Sequence, residues 1–175
     1  MGDIKREGNA LSEEQIRSFY QHKIYPNSHV PFAFKYLKDV INSTDLPEVC
    51  FIHTDQNQDE VNNGYNNHWL VLIYDQLFDS YGYQSQYNLG AEFKETVKFV
   101  NLHPKRIQSF GTVVCGEYCL NFANYYFTER TAEGSENVGS DYTKINGYTT
   151  NTAANDEKVL QWYKEGASHT SGDAV

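Results

Sequence analysis

From Leu11 to Gln21, in "LSEEQIRSFYQ", the apolar residues Ile16, Phe19 and Tyr20 fall three and four apart, behind Ser12 as N-cap and Gln15 as its capping-box partner. This predicts the first helix. "FAFKYLKDVIN" has Phe34, Leu37, Val40 and Ile41 at similar intervals and predicts a second, whereas "LPEVCFIHT" reads as a buried strand. The polar, glycine-containing "DQNQDEVNNGYNN" is a loop leading into "HWLVLIYD", a strand by its β-branched and aromatic content, with "QLFDSYG" as the returning arm of a tight hairpin. "AEFKETVKFVN" predicts a helix through Phe93, Val97 and Val100, and "KRIQSF" a short strand after His103 and Pro104.

In "CGEYCLNFANYYF", Cys115, Cys119, Phe122 and Tyr126 make a helical stripe that belongs against a sheet. Residues 129–151 turn to Gly, Ser, Thr, Asn and Glu and read as a long polar surface excursion. "NDEKVLQWYKEG" then predicts a closing helix, capped by Asn155 or Asp156, that buries Val159, Leu160, Trp162 and Tyr163. Helices around central strands make the class α+β. The expected organisation is one domain over 1–175, with a flexible N-terminus at 1–10 and a flexible tail at 167–175.

Composition changes the picture in three ways. A chain of 175 residues, 39% hydrophobic and 15% aromatic, supports one core rather than two, and its 14 Tyr and 10 Phe point to aromatic packing. A net charge of −9 lacks the electrostatic footprint of phosphate-backbone binding, which disfavours a nucleic-acid partner. No stretch has the length of a membrane span, the N-terminus has no apolar signal region, and Arg6 breaks the myristoylation pattern. Cys50, Cys115 and Cys119 are an odd, sparse set, so reduced thiols in a reducing intracellular compartment are expected, and the "NST" at Asn42 is expected to be idle. Cys50, inside "VCFIH", reads as a small buried hydrophobe.

The stretch "QSFGTVVCGEYCLNF" carries the chemistry. A thiol becomes a nucleophile as thiolate, which a helix N-terminus and a neighbouring imidazole both favour, and Cys115 opens the predicted helix. Gly116 after it leaves room for a substrate backbone. Among six histidines, His68 opens a strand directly after the polar loop, with Trp69 beside it as a wall of the cleft. A base needs an orienting acid. The hairpin returns Asp79 alongside His68, while the competing Asp75 sits at the turn. Gln108 can supply a side-chain amide to an oxyanion, together with the backbone N–H at Cys115. Each residue alone has a plainer reading: a packing histidine, a turn-capping aspartate, a solvated glutamine. Cys115 and Cys119 can also be read as half of a zinc site completed by His53 or His68, although the tight paired spacing of structural sites is missing. Cys119 faces the core in the helical stripe.

These motifs, "HW" at His68, "FDSYG" at Asp79, Gln108 and "CGEYC" at Cys115, in that order, resemble the adenovirus-type cysteine proteases and, more distantly, the proteases of SUMO and other ubiquitin-like proteins. "FIHTD" is similar to the strand before that family's histidine loop, and "NDEKVLQWY" resembles the closing helix of relatives from large eukaryotic DNA viruses and Maverick/Polinton-type elements. The likeness runs from about Leu11 to about Tyr163. It implies a papain-like α+β fold, with a central mixed sheet packed on the helix that carries the nucleophile.

It further implies peptide hydrolysis through a thioester, near small residues such as glycine. Cys115 would be the nucleophile, His68 the base and then acid, Asp79 the orienter, and Gln108 with the Cys115 amide the oxyanion hole. The implied partner is a protein or polyprotein precursor, in host cytoplasm or nucleus or packaged in a virion, with no membrane and no cofactor. A ubiquitin-like protein is the substrate in the second reading, and a catalytically silent binding module of the same fold is the third. The His68 to Asp79 interval is shorter than in either branch. The DNA and basic-peptide activators of the adenovirus enzyme do not carry over to so acidic a chain.

Overall fold

The structure is a computed structural model, and it describes residues 10–43, 45–54, 68–82, 97–102, 104–130 and 137–173. Helix α1 (Glu13–Phe19) starts at the expected capping box, with Ser12 and Gln15 each accepting the other's backbone N–H. It runs through π-helical turns at Tyr20–Ile24 into α2 (Tyr25–Ser28). After β1 (Phe32–Tyr36) and α3 (Leu37–Asn42) come β2 (Val49–His53), β3 (Trp69–Ile73), β4 (Gln76–Phe78) and β5 (Lys98–Phe99). Helix α4 (Cys115–Asn124) continues as π turns through Tyr125–Glu129, and α5 (Val138–Asn146) and α6 (Thr152–Asp173) close the chain.

The five strands form one mixed sheet in chain order, parallel at β1–β2 and β4–β5 and antiparallel at β2–β3 and β3–β4. Every residue of β2 and β3 is buried, because both faces of the sheet are covered. Alternation sorts them. Val49, Phe51, Trp69, Val71 and Ile73 join the large core with α1, α4 and α6, and Cys50, Ile52, Leu70 and Leu72 join a smaller one with Val40. The α+β class is therefore present, with α4 packed on β3. No described helix is long and apolar enough to cross a membrane.

Five elements differ from expectation. The start of "FAFKYLKDVIN" is strand, because Phe32 to Tyr36 pair in parallel with Val49 to His53, and only Leu37–Asn42 is helical. Lys98–Phe99 is strand paired with β4, and the earlier part of that expected helix, 91–96, lies outside the described residues, as does the expected loop at 55–67. "KRIQSF" forms no strand. Within the expected polar excursion, Asn137 caps α5, whose Val138, Tyr142 and Thr143 are buried. The last helix also starts earlier, since Asn151 Oδ1 accepts the Ala154 N–H, and it continues to Asp173 through much of the expected tail. Asn155 and Asp156 are therefore inside α6, and both are buried.

Candidate active site

The β3–β4 hairpin places His68 and Asp79 side by side, because Val71 opposite Phe78 sets a register that brings the residues just beyond the paired ends together. His68 Nε2–H donates to Asp79 Oδ1 at 2.8 Å, and both side chains are almost fully buried. The Tyr81 backbone N–H donates to the same carboxylate oxygen at 2.9 Å. Burial alone would push His68 down. The charge and hydrogen bond of Asp79 and the contact with Cys115 outweigh it and hold the imidazole well above its ordinary value. Asp75 is at the turn, at the far end of the hairpin, where its carboxylate meets Lys98 Nζ at 3.5 Å.

Cys115 is the first residue of α4, and Val114 at the N-cap position supplies no capping side chain. The sulfur contacts His68 by a hydrogen bond and accepts the Trp69 backbone N–H at 3.2 Å. With Nε2 committed to Asp79, the ring presents Nδ1 to the sulfur. Imidazolium, backbone amide and helix N-terminus all interact favourably with negative charge there. The other two thiols are both held in the neutral form. Burial pushes Cys50 up to about 12. Cys119, buried and near Cys115 and Asp79, is also raised well above its ordinary value, and its S–H donates to the Trp69 carbonyl at 3.4 Å. Cys115 and Cys119 thus engage His68 and Trp69 rather than a half zinc site, and among the described residues no group of three or more His, Cys, Asp and Glu is placed to hold a metal.

Gln108 is fully buried. The Ser80 hydroxyl, one residue past Asp79, donates to its Oε1 and so sets which way the amide faces. Its Nε2 donates both of its hydrogens to Thr112, at the carbonyl and at Oγ1, each at 3.1 Å. Between them, Ser109 to Thr112 make a turn closed by the Thr112 N–H on Ser109 O, with Gly111 at φ +79 where a side chain would be strained.

Two residues expected beside the substrate are packed into the core. The Trp69 indole has no exposed surface: it donates Nε1–H to Leu11 O at 2.9 Å and packs against His53. A Cβ on Gly116 would come within 3.1 Å of Leu11 and 3.3 Å of Trp69, so a side chain there would press on the core by a few tenths of an ångström. The exposed surface at the site comes from residues the sequence reading did not single out. Tyr81 stacks on the His68 ring with centroids 4.6 Å apart, Phe110 stacks on Tyr81, and the Arg106 guanidinium lies 3.8 Å over Phe110, which is 71% exposed. Ser80 and Tyr81 were visible inside "FDSYG", but their roles depend on the hairpin register. No protein-family model matches the chain, and no curated protein matches it in sequence.

Proposed function

We propose that the chain is a cysteine endopeptidase of papain-like fold, akin to the adenovirus-type proteases that its motifs resemble. One observation carries the reading: a buried Asp79–His68 pair whose imidazole meets the sulfur of Cys115 at a helix N-terminus. The Cys115 thiolate attacks the scissile carbonyl carbon, and the carbonyl oxygen becomes an oxyanion held by the Cys115 backbone N–H and by a Gln108 Nε2–H that Thr112 gives up. His68 gives its proton to the leaving amine, which departs and leaves a thioester. A water molecule then loses a proton to His68 and attacks the thioester, and the acid product leaves as the thiolate and imidazolium are restored. Asp79 holds the ring and stabilises its cationic form throughout.

The resemblance directs the substrate search to proteins cut near glycine, including precursors of viruses and virus-like elements. The test pairs labelling with turnover. Iodoacetamide at neutral pH should alkylate Cys115 far faster than Cys50 or Cys119, and a glycine-containing peptide library should be cleaved by the wild type and not by Cys115→Ala. Equal labelling of the three thiols, with no cleavage, would favour a silent binding module. Covalent capture of ubiquitin-like probes carrying a C-terminal electrophile would instead identify the natural substrate as a ubiquitin-like tag.

A further inference from the structure

Gln108 stands on a segment without a strand ladder, yet an oxyanion donor must be held still, since misplacement of a catalytic group by about 1 Å can cost a hundredfold. Ser80 holds Gln108 itself, its carbonyl accepting the Ile107 and Gln108 N–H groups, and the start of α6 holds the residues on either side. Asn155 Nδ2–H donates to the Ile107 carbonyl at 3.1 Å, the Ser109 N–H donates to Asp156 Oδ2 at 3.3 Å, and the Ser109 hydroxyl donates to Thr152 Oγ1 at 2.8 Å. These contacts bracket Gln108 on both sides. The second carboxylate oxygen of Asp156 accepts the Tyr118 hydroxyl at 2.6 Å, and that hydroxyl is also 3.1 Å from the Ile107 carbonyl. Tyr118 lies on α4, three residues after the nucleophile.

Asp156 is completely buried. A buried carboxylate is costly unless its oxygens are engaged, and here one oxygen holds the loop of Gln108 while the other holds the helix of Cys115. Those are the two sources of the proposed oxyanion donors. A single neutral acceptor would serve only one of them.

We infer that Asp156 is a positioning residue for the oxyanion hole: it spans from the helix of Cys115 to the loop of Gln108 and fixes the distance between their donors. The inference rests on the protease reading above. Its mark is selectivity, because Asp156 acts on the step that builds an oxyanion and not on the thiolate itself. Iodoacetamide alkylates a thiolate by displacement at carbon and forms no oxyanion, so it reports the Cys115–His68 pair alone.

The experiment uses the full chain and a cleavable peptide. In Asp156→Ala, kcat should fall by about tenfold to a hundredfold, a fraction of what losing a whole donor costs. KM and the alkylation rate at Cys115 should stay within about twofold, the size of effect expected where neither ground-state binding nor the thiolate is touched. In a Gln108→Ala background the same change should cost less than about threefold, since the donor it serves is already gone. Asp156→Asn, which keeps one acceptor for the Ser109 N–H, should recover part of kcat. If Asp156→Ala does not fold, Tyr118→Phe, which keeps the ring and loses the hydroxyl, decides on the same readings.

Unchanged kcat, an equal fall in kcat and alkylation, or full additivity with Gln108→Ala would overturn the inference while leaving the protease reading intact. A wild type that neither cleaves peptides nor alkylates selectively at Cys115 would sink the protease reading itself.

Discussion

Two buried histidines lie on either side of Trp69, and their environments drive them apart. His68 precedes Trp69 in the chain, and His53 is its partner across the β2–β3 ladder, with ring centroids 3.6 Å apart. Each has a carboxylate within hydrogen-bonding reach: Asp79 at 2.8 Å from His68, Glu13 at 3.2 Å from His53. Yet His68 is raised well above its ordinary value, and burial lowers His53 to about 4. The difference lies in what surrounds the pair. Asp79 is nearly fully buried and His68 also meets a thiol, so the ionic form of that pair has two neighbours in a water-poor site. Glu13 keeps about a third of its side chain in water, which screens it, and His53 rests on an indole. The Glu13 contact is accordingly a hydrogen bond from a neutral ring, whose Nδ1 has no partner among the described residues. A histidine beside a carboxylate is thus not enough to raise the ring above its ordinary value. The carboxylate must be desolvated as well.

Replacing each ring in turn is the sharpest way to break this contrast. His68→Ala should lower kcat/KM by about a thousandfold or more, the scale on which triads fail when the base is lost. His53→Gln, which keeps a donor for Glu13, should leave kcat/KM within about threefold, as expected for a group outside the reacting set. Steady-state rates on one peptide decide it. Comparable losses would mean that His53 shares the chemistry.

The same contrast shows what can be seen in a sequence. The pairing of His68 with Asp79 was legible because strand alternation and hairpin return are local rules, and a tight hairpin leaves little freedom in where residue 79 comes to rest. "KRIQSF" was misread for a physical reason. Ile107 is buried as a strand residue would be, but its carbonyl is met by the Tyr118 hydroxyl and the Asn155 amide instead of a neighbouring strand. Side chains contributed from far along the chain are invisible to local patterning.

Residues 138–146 were hidden similarly. Tyr142 is buried in a polar stretch because its hydroxyl, like that of Tyr148, donates to Asn121 Oδ1 of α4. The local signs of that helix were Asn137 at its start and Gly147, at φ +72, just past its end. At β1, Phe32 and Phe34 alternate, but Phe34, Leu37, Val40 and Ile41 also fit a helical stripe, and only pairing with β2 decides between them.

A smaller effect tests the carboxylate. Asp79→Asn keeps the shape at His68 and removes the charge, so the imidazole should titrate lower than in the wild type. For the thiolate–imidazolium form, activity at high pH ends where His68 loses its proton, so the wild-type alkaline limb should stand well above 6.5 and move down in the variant. kcat/KM at neutral pH should fall about a hundredfold, short of the roughly ten-thousandfold seen where a wrong tautomer disables a triad, because the Tyr81 stack still holds the ring. Asp75→Asn, at the exposed end with Lys98, should change neither the rate nor the limb. A pH–rate profile for each variant is the measurement. An unmoved limb in Asp79→Asn would show that Asp79 does not set the charge of the ring.

The smallest expected effect concerns stability, and the two histidines enter it with opposite sign. His68 binds its proton more tightly folded than unfolded, so its contribution is complete below about 6.5 and is lost as pH rises through its raised value. His53 does the reverse. Between about 6.5 and about 4 the unfolded chain protonates this ring and the folded chain does not, so stability is lost as pH falls through that window. At about 1.4 kcal/mol for each pH unit of difference, the loss amounts to about 3 kcal/mol. Urea unfolding at pH 7, 5.5 and 4 should therefore show the wild type losing about that much more than His53→Gln, whose side chain does not titrate. At pH 7 the variant can be the less stable of the two without affecting the comparison, since only the change with pH carries the information. Parallel stability curves would mean that His53 accepts its proton in the folded state as readily as in the unfolded one. Glu13 would then offset the burial of its ring although it is partly in water, and desolvation of the carboxylate partner could not be what separates the two histidines.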